Sequence, residues 1–65
     1  MNKQEWEEEE QILDDGLRYF MLCLEEEEQL PKHKTAVYLM NKYKFGPITA
    51  IHYSNRIQVR YTQIK

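Results

Sequence analysis

Apolar and polar positions alternate with two different periods along this chain. In the first half, Trp6, Leu13, Leu17, Phe20, Met21 and Leu24 recur at spacings of three, four and seven. That is one face of a 3.6-residue period, widened by Ile12, Tyr19 and Cys23, and it predicts a long helix over residues 3–29. Gly16 follows Asp14 and Asp15, so the stretch could form a turn that splits the helix. An interior glycine costs only about 1 kcal/mol relative to alanine. The apolar phase also survives across it, so the expectation is one continuous or slightly bent helix.

Pro31 lacks a backbone N–H and disfavours helical geometry at Leu30, which ends this helix. Ala36, Val37, Met40 and Tyr43 then mark a second, shorter helix over residues 32–44, stopped by Gly46 and Pro47. A short connection makes the two helices antiparallel neighbours.

Beyond Pro47 the pattern reads differently. Residues 48–53 and 56–62 are rich in Ile, Val, Thr and Tyr, and a two-residue link, Ser54-Asn55, joins them. Pairing them as a hairpin puts Ile48, Ala50, His52, Ile57, Val59 and Tyr61 on one face. Thr49, Ile51, Tyr53, Arg56, Gln58 and Arg60 fall on the other. The separation supports a C-terminal β-hairpin packed on the helices. The expected fold is therefore α+β, in the order α-α-β-β, as a single small domain over residues 1–65.

Length sharpens this picture. A 65-residue domain buries only about 60% of the surface its unfolded chain exposes, and such scaffolds commonly need a staple. Cys23 is the single cysteine, and His33 and His52 are far apart, so neither a disulfide nor a metal-ligand set is expected. No cofactor is implied. Association with another chain is the remaining source of stability, and a homodimer is expected. One unpaired cysteine fits a reducing compartment. The acidic N-terminal stretch does not resemble a targeting segment, and no run is long enough to span a membrane. A cytoplasmic protein results, of a size suited to a bacterial virus or mobile element.

Charge changes the picture most. The net charge is −2, but residues 1–30 hold eleven acids against two bases, whereas residues 31–65 hold seven bases and no acid. Two acidic blocks stand out, Glu7–Glu10 and Glu25–Glu28. The second is followed at once by Lys32 and Lys34, so the turn between the helices can neutralise it. The first lies beyond the reach of the shorter helix. With Trp6 and Leu13 projecting beside it, Trp6, Glu7, Glu8, Glu9, Glu10 and Leu13 form the expected protein interface. Tryptophan is enriched at binding hot spots, and the charge calls for a basic-surfaced partner protein. On this reading the chain is a small, non-enzymatic regulatory protein of inhibitor or adaptor type.

The alternative uses the basic half. Lys42, Lys44, Tyr53, Arg56 and Arg60 combine cations with an aromatic ring, which suits phosphates and bases. Ser54–Tyr61 resembles the wing hairpins of small DNA-binding proteins. Were the first helix split at Gly16, the order would match a minimal winged helix-turn-helix. The helix over 32–44 would then enter the groove, and Ser54, Asn55 and Arg56 would form the wing tip. Glu25–Glu28 argue against that placement, because they would face phosphates.

Overall fold

The computed structural model describes the backbone of residues 3–64 and the side chains of residues 6–64. It is all-helical: α1 (Lys3–Glu25), α2 (Pro31–Tyr43) and α3 (Pro47–Ile64). The charges counted on Lys3, Glu5 and Lys65 belong to side chains outside the described set.

α1 runs unbroken through Gly16 and stops at Glu25, four residues earlier than its apolar pattern suggested. The stop is a Schellman motif. Glu28 N–H donates to the Cys23 carbonyl (2.9 Å) and Glu27 N–H to the Leu24 carbonyl (3.1 Å), with Glu27 left-handed at φ 56°. Successive carboxylates at a helix C-terminus oppose the macrodipole, so ending the helix inside the block relieves them. Leu30, also left-handed, precedes α2, and Pro31 occupies its first turn, where a missing N–H costs nothing.

The predicted β-hairpin is absent. Residues assigned to two strands and their turn form the single helix α3, so the α-α-β-β order is corrected to three helices. The reason lies in which period the interior selects. Ala50, Ser54 and Ile57 are buried and Tyr53 and Tyr61 half-buried, and these positions share one helical face. The hairpin register had placed Ile51 and Tyr53 among arginines. Pro47 at the first helical position, and the Ala50 N–H bonded to the Gly46 carbonyl (3.0 Å), start the helix cleanly. Ser54 does not turn the chain; its hydroxyl donates to the Ile51 carbonyl one turn back (2.9 Å). β-propensity is a preference of at most about 1 kcal/mol per site, and packing overrides it.

α2 lies antiparallel to α1: Asp15 meets Lys42 and Tyr43, Tyr19 meets Tyr38, and Glu28 meets Lys34. α3 lies beside α1 in the same direction, with Glu9 at Arg56, Glu10 at Arg60 and Phe20 at Tyr61. Leu13, Phe20, Leu39 and Ile57 make the core, ringed by Ile12, Leu17, Tyr38, Tyr43, Phe45, Tyr53 and Tyr61. Gly16 of α1 sits against Ile57 of α3 and Leu39 of α2. A Cβ there would overlap Ile57 Cδ1, lie 3.3 Å from Ile57 Cγ1 and 3.7 Å from Leu39 Cδ2. The glycine that could have turned the chain is instead a point of close approach. Among the described residues, no helix is long and apolar enough to cross a membrane.

Candidate interface

α3 reorganises the acidic N-terminal half of α1. Arg60 grips Glu10 with both guanidinium nitrogens (3.0 and 3.1 Å) and lies 3.6 Å from Asp14, while Arg56 reaches Glu9 at 3.2 Å. The hydrogen bond from Arg60 holds the Glu10 carboxyl below its ordinary value. Glu7 and Glu8, one turn earlier, are exposed and form no ion pair with another described residue. Trp6 beside them is 55% exposed, while Leu13, expected at the same interface, is 1% exposed in the core. The six expected interface residues thus separate into three groups. Leu13 is interior, Glu9 and Glu10 are held within the fold, and Trp6, Glu7 and Glu8 face outward.

Residues expected to touch nucleic acid also disperse. Arg56 and Arg60 point at α1, and Lys42 donates to Asp15 (2.5 Å). Tyr53 is half-buried, its ring stacked on Phe45 at 5.2 Å between centroids and Phe45 in turn on Tyr43 at 5.5 Å. Lys44 is exposed, left-handed at φ 62°, at the end of α2. The wing tip at Ser54–Arg56 does not exist, since these residues lie mid-helix.

One polar cluster escaped the sequence reading. Asp15 accepts hydrogen bonds from Tyr38 (2.9 Å), Tyr43 (2.6 Å) and Lys42, joining α1 to α2. Partial burial opposes its charge, but the bonds from Lys42, Tyr43 and Tyr38 outweigh that and hold the Asp15 carboxyl below its ordinary value. Burial and then the Asp15 carboxylate push the Tyr43 hydroxyl up to about 12. Tyr19 stacks on Tyr38 at 4.2 Å and 6°, completing a sandwich over the contact. The four-residue spacing of Tyr38 and Lys42 was the available signal, but it names Asp15 only once the pairing of the helices is known.

A concavity of about 430 Å³ lies at the α1–α2 turn between Glu26, Glu27 and Glu28 on one side and Leu30, His33 and Lys34 on the other. Its carboxylates do not converge, and no group of three or more metal-ligating side chains occurs among the described residues. A smaller groove of about 190 Å³ runs between Glu8, Gln11, Ile12 and Tyr43. Comparison with protein-family models, curated proteins and solved structures finds no match for the chain.

Proposed function

We propose that this is a small, non-enzymatic regulatory protein of inhibitor or adaptor type that docks the free end of α1 on a basic-surfaced partner protein. One observation carries the reading: Trp6 lies more than half exposed beside two exposed carboxylates, Glu7 and Glu8, that pair with no other described residue. An indole supplies a large apolar contact at little conformational cost, and flanking charge steers a cationic surface toward it. The groove between Glu8, Ile12 and Tyr43 adjoins this end and adds a carboxylate over an apolar floor, suited to a lysine or arginine stem. Cys23, free and buried, suits a reducing compartment, and the reading places the protein in the cytoplasm.

The DNA-binding alternative has less to stand on. It needed a wing, and four of its five residues are held by other contacts within the fold. No observation favours it over protein binding.

The experiment is affinity capture from the native cell with wild type and Trp6→Ala, at low and high salt, alongside thermal melts. A partner retained by wild type at low salt, released by salt and lost by Trp6→Ala without a fall in Tm is the expected result. A matching loss of Tm would make Trp6 a packing residue and remove the reading.

A further inference from the structure

α2 is shorter than α1, and where it ends a stripe of α1 runs on without it. Glu8, Gln11, Ile12 and Asp15 fall on one side of α1 by their helical spacing. Asp15 meets Lys42 and Tyr43 in the last turn of α2. Tyr43 is the final residue of that helix, so Glu8, Gln11 and Ile12 extend past its end. Together with Tyr43 they line the groove of about 190 Å³.

Size, charge and shape single out an occupant. Pockets that enclose a small molecule run to roughly 300–1,000 Å³, so this groove suits a single side chain. Glu8 is the carboxylate in its lining and pairs with no other described residue. Lys42, Arg56 and Arg60 are engaged elsewhere, by Asp15, Glu9 and Glu10. The C-terminal end of α2 carries partial negative charge and adds to the preference for a cation. The Tyr43 wall is preformed: its hydroxyl donates to Asp15 (2.6 Å) and Phe45 stacks on its ring at 5.5 Å. Little side-chain freedom is left there to lose on binding. Two turns along the same stripe the fold makes a like contact for itself. Asp15 takes the Lys42 ammonium, which lies 5.6 Å from the centroid of the Tyr43 ring.

We infer that this groove receives one arginine side chain of the basic partner. The Glu8 carboxylate and the Gln11 amide oxygen accept from its guanidinium, and its methylenes lie on Ile12 and the Tyr43 ring. Arginine suits the groove better than lysine. A planar, weakly hydrated guanidinium stacks on an aromatic ring and spans two acceptors, whereas an ammonium is a strongly hydrated point charge. The inference rests on the docking of a basic-surfaced protein at this end of α1, and names the residue that the dock selects.

NMR titration of the full chain with Nα-acetyl-arginine amide tests it without the partner. Saturable shifts are expected at the Gln11 side-chain amide, the Ile12 methyls and the Tyr43 ring. The lysine amide binds several-fold more weakly, and citrulline amide, the neutral isostere, gives no saturable shift. Glu8→Gln weakens arginine binding about fivefold, the upper end for an exposed ion pair, with an unchanged circular-dichroism spectrum because Glu8 is exposed. Glu25→Gln, in the other acidic block, leaves it unchanged. No saturable shift in wild type, equal shifts with citrulline amide, equal shifts at Glu25, Glu26 and Glu27, or a Glu8→Gln titration that matches wild type would each overturn the proposal. Affinity capture separates it from the reading on which it rests. A partner lost by Trp6→Ala but fully retained by Glu8→Gln would overturn the arginine groove and leave the docking intact. Saturable arginine binding with no partner retained by wild type would do the reverse.

Discussion

The two acidic blocks, Glu7–Glu10 within α1 and Glu25–Glu28 at its end, have the same composition and different fates. Glu7–Glu10 looked stranded, yet half of it is bound by arginines from α3, near the far end of the chain. Glu25–Glu28 looked ready for neutralisation by the lysines just after it, yet among the described residues only Glu28 has an ion-pair partner, Lys34 at 2.7 Å. The block next to its bases in sequence is left largely open. The block distant from its bases is the one half held, at Glu9 and Glu10. Proximity along the chain matters less than which helix faces are brought together: Glu9, Glu10 and Asp14 line the side of α1 that α3 covers. Glu25, Glu26 and Glu27 end α1 where the chain leaves it.

The largest way to break this contrast is to push α3 off α1. Gly16→Val places a branched side chain against Ile57 and Leu39 in a contact that has no room for it. We expect a loss of about 3 kcal/mol and a fall in Tm of about 10–20 °C, read by thermal melts. The arginine contacts to Glu9 and Glu10 should loosen with it, whereas the Glu28–Lys34 pair, on the α1–α2 side, should persist. Disappearance of both in side-chain NMR would show that the blocks are not independent.

Asp15 lies between the blocks and ties α1 to α2. Asp15→Ala strands the Tyr43 hydroxyl and should cost about 1–2 kcal/mol, by denaturant titration at neutral pH. Because the folded carboxyl titrates below its ordinary 3.8, its contribution is complete above that value and is lost as pH falls through the folded pKa. Glu10, also held low, contributes with the same sign. The acid limb of the stability curve should therefore shrink, but not vanish, in Asp15→Ala. An unchanged limb would remove Asp15 from the account.

A smaller change sharpens the turn end of the comparison. Glu27 adopts φ 56° without the freedom of glycine. Glu27→Gly should stabilise the fold by about 1 kcal/mol, through relief of the left-handed strain, as a rise in Tm. If the gain instead disappeared at high salt, charge repulsion within the block would be its source.

The sequence by itself determined that α1 runs on across Gly16 and that Pro31 and Gly46-Pro47 bound α2, but it ended α1 four residues late and read no helix beyond Pro47. It also located the charge asymmetry and picked out Trp6, whose exposure follows from its place beyond the other apolar residues of α1. What it misassigned was residues 48–62, read as a β-hairpin. Their β-branched composition satisfies a period of two and a period of 3.6 at once, and Ser54-Asn55 serves as turn or mid-helix alike. Only the tertiary structure chose, because Ala50, Ser54 and Ile57 are buried together on one helical face, with Ile57 packed against Gly16. The same choice turned Arg56 and Arg60 from an open basic face onto Glu9 and Glu10, and left the opposite side of α3 without charge. Backbone preferences of about 1 kcal/mol per residue are local. The burial that overrides them involves residues some forty positions apart, and no window along the chain contains both partners.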